Sequence, residues 1–522
     1  MTESEQQKTQ SSRSLLRSSG IVSFMTTISR VFGLVRDMVI AYFFGASAGA
    51  DAFFLAFRIP NFFRRLFGEG AFSQAFVPVL AEYRTQKSHA EVRALVDAVS
   101  GTLGINLLAV TLIGVLGAPL VISLFALGFV VNDEVEKLAL ATEMLRITFP
   151  YLLLISLTAF SGAVLNTLGR FAVPAFTPVL LNVSLILCAI YLRPWLDEPV
   201  TALAWAVLIA GVAQLSFQVP FLVKEGVLPR PVVAFRHEGV KKILSLMLPA
   251  LFGVSVGQIN LLLDTVLASF LQTGSLSWLY YSDRLLEFPL ALFGITIATV
   301  ILPSLSKDHA TASTEEFSHT LEWAIRAVCL IGVPASLALI YLSEPLITTI
   351  FYHGQMTQRD VTMSSMSLMA YGAGLLGHML VKVLAPGFFS RQDTSTPVRY
   401  GVVALVSNMV LNLLLIWHLQ HAGLALATSL SAFINAGLLF FGLRRAGVLH
   451  LTPGWGRLTA QLIWACAVML ALLYVIKPEQ SDWLEMGILM RFMWMGGICL
   501  AGVLAYTAAL RLTGFRFSSL LR

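Results

Sequence analysis

The residues able to do chemistry in this chain are arginines in places where a bilayer would not tolerate them without cause. "RIPNFFRRLFGEG", residues 58–70, lies between the apolar runs "DAFFLAF" and "AFSQAFVPVLA" and places Arg58, Arg64, Arg65 and Glu69 in that frame. "SRVFGLVRD" adds Arg30, Arg36 and Asp37, and "SDRLLEF" adds Asp283, Arg284 and Glu287. His378 and Lys382 fall in a further apolar run, and Asp51 stands at the head of the run containing Arg58. Charge inside a bilayer is costly unless it meets a partner or a wet cavity. Arg65, Glu143, Arg146, Glu322 and Arg326 have a plain reading, as snorkelling ends or paired neighbours. Arg30, Arg64, Arg284 and Lys382 lie deeper in their runs. Cations converging on one cavity with too few acids to neutralise them describe a receptor for an anion, and arginine's planar fork suits phosphate.

Catalytic patterns are missing. There is no HExxH, GxSxG or P-loop, and "GAGLLG" (372–377) has no strand–helix–strand unit around it. Cys188, Cys329, Cys466 and Cys499 are far apart in apolar segments, so a disulfide or a zinc site is not expected. The reading is of a transporter and not an enzyme, with no ATP site of its own.

Of the 522 residues, 57% are hydrophobic and 12% charged, with mean hydropathy +0.78. Long apolar runs recur along the whole chain, which makes it an all-α polytopic membrane protein. About fourteen spans fit. The polar start, "MTESEQQKTQSSRS", has no signal-peptide core, so the first helix is expected to be retained. The net charge of +6 is better explained by loop bias than by nucleic acid. Connectors after odd-numbered spans hold only Lys137, Arg193, Arg359 and Lys477, whereas the other connectors and the termini are rich in Lys and Arg. That asymmetry puts both termini in the cytoplasm.

An internal echo divides the chain. "LFGEGAFSQAFVPVL" (66–80) resembles "LFGITIATVILPSL" (292–305), and "TPV" recurs at 177–179 and 396–398, at offsets of about 220 to 226 residues. Two six-helix lobes in parallel orientation follow, around a central cavity with the substrate site near midplane. The expected organisation is a tail over 1–18, an N-lobe over 19–224, a basic linker over 225–242, a C-lobe over 243–446 and a helix pair over 447–522. Pro60 removes a helical hydrogen bond in the second span, and Gly68 and Gly70 loosen it further on, so these three are candidate hinge or gating positions.

"SRVFGLVRD", "DAFFLAFRIPNFFRRLFGEGAFSQAFVPVLAEY", "SWLYYSDRLLEFP" and "VKVLAPGFFSRQDTSTPV" together resemble the MurJ (MviN) family of bacterial lipid II flippases, in the multidrug/oligosaccharidyl-lipid/polysaccharide (MOP) exporter superfamily. The resemblance runs through essentially the whole chain. It implies alternating access, moving an undecaprenyl-diphosphate-linked disaccharide-pentapeptide of peptidoglycan synthesis from the cytoplasmic to the periplasmic leaflet of the inner membrane. It implies that Arg30, Arg36, Arg64 and Arg284 serve the diphosphate, with Lys382 a further basic position. Asp51, Asp283 and Glu287 match acidic positions fitted to orientation and gating, and the C-terminal pair would line a groove for the lipid tail.

Some members of that family bind sodium in the C-terminal lobe, and Asp264, Asn408, Asn412 and Thr428 are the candidates here. They offer oxygens suited to a hard cation, although the family has an acid where this chain has Asn412. Interhelical hydrogen bonding is the competing reading. No other cofactor is expected; a monomer is compatible with the sequence, which does not give the oligomeric state. The alternative functions are a flippase for another polyprenyl-diphosphate-linked glycan, or a drug or ion antiporter of the same superfamily. An antiporter for cations would need buried acids where this sequence has a basic excess.

Overall fold

A chain this apolar has to satisfy its backbone internally, and helices do so segment by segment. The computed structural model describes the backbone of residues 3–310 and 313–515, and no strand occurs among them. Two units divide the chain, Met1–Thr273 and Gly274–Arg522. The first contains α1 (Glu3–Phe44), α2 (Ala48–Phe63), α3 (Phe72–Gln86), α4 (His89–Leu116), α5 (Ala118–Phe125) and α6 (Leu127–Val131). It continues with α7 (Val135–Thr148), α8 (Tyr151–Thr167), α9 (Ala172–Leu187), α10 (Thr201–Lys224) and α11 (Glu238–Ser269). The second contains α12 (Ser275–Pro289), α13 (Thr296–Ala310), α14 (Thr314–Tyr341), α15 (Ser343–Phe351) and α16 (Gln358–Phe389). It ends with α17 (Ser395–Arg445), α18 (Trp455–Ile476), α19 (Gln480–Glu485) and α20 (Ile488–Leu512).

Nine helices among the described residues are long and apolar enough to cross a membrane. One of them, α17, is two helices joined at Gln420, whose φ of 49° and ψ of −128° are not helical. Helix starts follow ordinary capping chemistry: Ser88 and Glu91 form a reciprocal box at the head of α4, and Thr357 and Asp360 do the same for α16.

Two expected boundaries move. The tail over 1–18 is helical from Glu3 onward and continuous with the first span. Helix α11, expected to open the C-lobe, packs in the first unit instead. The reason is a row of polar contacts along its last turns and just beyond. Thr265 Oγ1 accepts from Arg58 Nη1 at 2.7 Å, Ser269 Oγ accepts from Gly128 N at 2.9 Å, and Thr273 Oγ1 accepts from Lys137 Nζ at 2.9 Å. Gly128 is required there, because a Cβ would stand 2.2 Å from the Ser269 backbone.

The repeat is visible in the backbone of each unit. The helix holding Arg58 passes into a π-helical turn over Arg64–Ala71, and α12 passes into another over Leu290–Ile295. The first follows Pro60 by one turn and contains Gly68 and Gly70; the second begins directly after Pro289. A proline removes one helical donor, and a widened turn is a local way of accommodating the loss.

Candidate functional site

Arg30, Arg36, Arg58 and Arg64 all lie in the first unit, in different settings. Arg30 on α1 is exposed and has no hydrogen-bond or ion-pair partner among the described residues. Arg36, two turns on, is buried. Its Nε and Nη2 donate to Asp37 Oδ1 at 2.9 and 2.7 Å, and its Nη1 donates to Asn182 Oδ1 on α9 at 2.9 Å. Asn182 Nδ2 in turn donates to the Ser29 carbonyl at 2.9 Å, so α1 and α9 are laced together. Asp37 and Asp51 are each 2% exposed. Arg36 is thereby part of a packed polar network.

On the second run, Arg58 is half-buried and tied to Thr265, while Arg64 Nε donates to Asn61 Oδ1 at 2.8 Å. The latter bond holds the root of the guanidinium against the preceding turn. Arg64 is also the first residue of the π turn, so any change in that turn redirects its side chain.

In the second unit Arg284 Nη1 donates to Glu287 Oε2 at 2.8 Å, one turn along α12, and the guanidinium lies 4.9 Å from the centre of the Tyr280 ring. The pair is 30% and 46% exposed at the side chains, and such an ion pair is worth little by itself. It leaves Arg284 oriented and still accessible. Asp283 is half-buried, and Lys382 on α16 is exposed with His378 one turn before it.

Three of the four sodium candidates, Asn408, Asn412 and Thr428, meet in the second unit. Asn412 Nδ2 donates to Asn408 Oδ1 at 2.8 Å, Asn408 Nδ2 to Thr428 Oγ1 at 3.3 Å, and Thr428 Oγ1 to the Leu424 carbonyl at 3.0 Å. Both asparagines are fully buried. This is a chain of neutral hydrogen bonds joining the two halves of α17, in which the Asn408 and Thr428 oxygens already accept from amides. No cluster of three or more His, Cys, Asp or Glu suited to a metal occurs among the described residues.

Three features escaped the sequence reading. The offset that maps Arg64 onto Leu290, the first residues of the two π turns, also maps Arg58 onto Arg284. The internal echo contained that signal. Glu322 Oε1 accepts four hydrogen bonds, from Arg326 Nη2, Thr452 N, Thr452 Oγ1 and Trp455 Nε1, at 2.7 to 3.0 Å. It therefore pins the segment leading into α18 onto α14. Arg491, 5% exposed, donates to the carbonyls of Trp483, Leu484 and Tyr352 at 2.7 to 2.9 Å. Outside the spans, His353 beside this cluster is held below its ordinary value, chiefly by burial, with the Arg491 charge adding to the effect.

A family model described as lipid II flippase MurJ matches residues 40–493. A protein named probable lipid II flippase MurJ from Vibrio cholerae is 54% identical over 98% of this chain and 98% of its own length. One named lipid II flippase MurJ from Burkholderia cenocepacia is 45% identical over 88% of this chain and 90% of its own. Among solved structures, a lipid II flippase MurJ in an inward closed conformation superposes with a TM-score of 0.78 at 26% identity, covering 96% of this chain and 99% of that one. An inward-facing multidrug resistance MATE transporter of the MOP superfamily reaches a TM-score of 0.67 at 14% identity over 82% of this chain and 98% of its own, which shows a shared fold alone.

Proposed function

The chain belongs to the MurJ family, and from that premise we propose that this multi-pass membrane protein flips lipid II from the cytoplasmic to the periplasmic leaflet of the bacterial inner membrane. The substrate has a polyprenyl tail that stays in hydrocarbon, a diphosphate that cannot, and a large polar glycopeptide. A carrier for it has to supply charge to the diphosphate while keeping the tail in lipid. Alternating access between two states is the mechanism that lets the same cations serve both leaflets.

The observation that supports this reading best is the repetition of an arginine on corresponding helices of the two units, Arg58 on α2 and Arg284 on α12, each one turn or two ahead of a π turn. Each unit thus offers a guanidinium from a helix able to change its winding nearby. In this reading Arg30, Arg64 and Arg284 contact the diphosphate, Arg58 and Lys382 add positive field, and Arg36 with Asp37 keeps α1 in register. Asp51, Asp283 and Glu287 orient the cations and release them as the cycle proceeds, and Pro60, Gly68 and Gly70 give the second run its freedom to bend. Both termini are on the cytoplasmic side.

Depletion of the protein from growing cells tests the proposal. Lipid II should accumulate in the cytoplasmic leaflet, where an enzyme or label added from outside cannot reach it. Accumulation of a different polyprenyl-linked glycan, or lipid II found in the outer leaflet at normal levels, would overturn the assignment.

A further inference from the structure

The basic linker between α10 and α11 is a strap laid along α4. Its alternate amides are tied down: Arg230 N donates to Asp97 Oδ1 at 2.7 Å, Val232 N to the Asp97 carbonyl at 3.1 Å, and Ala234 N to Thr102 Oγ1 at 3.1 Å. Every second amide facing one way is the pattern of an extended segment. Val232 passes so close to Gly101 that a Cβ on the glycine would stand 2.4 Å from its backbone. His237 then caps α11 through Gly239 N at 3.1 Å.

So firmly anchored a strap still turns apolar side chains outward. Val232, Val233 and Phe235 are 52%, 55% and 49% exposed, and the neighbouring Arg230, Arg236 and Lys241 are exposed with them. Apolar side chains interleaved with cations characterise surface lying at the headgroup boundary of a bilayer. Lys242 is paired with Glu82 at 2.6 Å, whereas the side chains of Arg236 and Lys241 have no ion-pair or hydrogen-bond partner among the described residues.

Phe235 also roofs a cavity of about 310 Å³, in the size range of small-ligand pockets. Its walls are almost wholly apolar, with Val99, Leu103 and Leu107 of α4 facing Ile243 and Met247 of α11. Asn106 lies on the wall, but its Nδ2 is spent on the Thr102 carbonyl at 2.8 Å. Further along α4 the wall runs into exposed Leu108, Leu112 and Ile113, a surface covered by lipid in a spanning helix. Lys241 sits one turn before Leu244, which lines the same cavity, and Arg236 follows Phe235 directly.

We propose that the strap and this cavity form a site for an anionic glycerophospholipid, with one acyl chain under Phe235 and the phosphate held by Arg236 and Lys241. Charge selects the occupant: a zwitterionic headgroup brings its own ammonium beside Arg236 and Lys241, whereas a net-anionic headgroup gives its phosphate to both with no competing cation. None of these residues belongs to the proposed diphosphate site.

The full-length protein in vesicles of phosphatidylglycerol and phosphatidylcholine in equal parts tests the proposal. A photo-crosslinking residue at Leu103 should capture phosphatidylglycerol preferentially, while one at Ile113 should capture both lipids in their bulk ratio. The R236Q/K241Q double variant should retain roughly tenfold less phosphatidylglycerol after extraction, with phosphatidylcholine and melting in lipid-free detergent unchanged. Capture at Leu103 in the bulk ratio, or capture there of the polyprenyl-linked substrate instead, would overturn the proposal. So would full retention of phosphatidylglycerol by the double variant, a result that needs no crosslinker to fold.

Discussion

Arg36 and Asn182 are joined across α1 and α9 by a 2.9 Å hydrogen bond, while the rest of the same guanidinium is committed to Asp37. This separates Arg36 from Arg30, six residues earlier on the same helix. Arg36→Ala would leave the Asp37 carboxylate, 2% exposed, without its adjacent cation. Stranding one partner of a buried pair costs about 3–5 kcal/mol. The variant should therefore lose protein from the membrane as well as activity. Arg30→Ala should leave protein levels normal and flipping defective. Immunoblots of membrane fractions beside a flipping assay distinguish the two, and equal levels for both variants would contradict this division.

Arg58 and Arg284 should behave as counterparts. Replacing either by Ala removes a half-exposed cation and no packed core, so both variants should insert and fold, with flipping reduced by about tenfold or more. Arg284→Lys should recover less than Arg58→Lys. A lysine at 58 can still donate to Thr265, whereas the Arg284 fork is oriented by both Glu287 and the Tyr280 ring. Normal flipping by both Ala variants would remove the repeat argument for function.

The helical architecture was legible because bilayer crossing demands long apolar runs and internal backbone bonding, both of which are local properties. The charged motifs were legible for the same reason, as violations of that rule. What the sequence could not display was which side chains find partners. Arg36 and Arg30 look alike in "SRVFGLVRD", and only the distant Asn182 separates them. The unit boundary was missed because α11 is as apolar as its neighbours, while Thr265, Ser269 and Thr273 fix its place through single polar contacts. Arg491 was overlooked because its partners are backbone carbonyls, which no side-chain pattern announces.

The Asn408–Asn412–Thr428 chain leads to a prediction about ions. If these groups serve packing, flipping in vesicles should proceed equally well when sodium is replaced by choline. Asn412→Ala should cost about 0.5–2 kcal/mol of stability, the range for interhelical hydrogen bonds in membranes. Flipping that stops in choline and tolerates Asn412→Ala thermally would favour the cation reading over packing.

His353 supplies a pH dependence. Its folded value lies below the ordinary imidazole value of 6.5, chiefly because of burial, with a hydrogen bond to the Thr349 carbonyl opposing the shift and the Arg491 charge reinforcing it. Below 6.5 the unfolded chain takes up a proton that the folded chain resists. This contribution to stability is complete above 6.5 and declines as pH falls from there toward the folded value. Melting temperature should fall on acidification through that window, less steeply in His353→Gln. Identical slopes for both proteins would show that His353 is not the group responsible.

Arg491 tests how the C-terminal helices are held. Its fork reaches carbonyls on two sides, Trp483 and Leu484 around α19 and Tyr352 just past the end of α15. The C-terminal end of a helix carries partial negative charge, so a guanidinium can be satisfied there without any acid. Trp483 Nε1 adds a 2.9 Å bond to Thr349 Oγ1, and Gln480 Nε2 one of 2.8 Å to Thr348 Oγ1. With Arg491→Ala those carbonyls lose a charged donor inside a buried site, a loss of about 3 kcal/mol. Arg491→Lys should recover less than half, because one ammonium cannot span both sides of the cluster. The expected signs are a lower melting temperature and faster labelling of a cysteine placed at Gln480, with the rest of the protein still folded at low temperature. Wild-type melting and labelling in Arg491→Ala would mean that the α15–α19 contact holds without this side chain, on bonds such as those of Trp483 and Gln480.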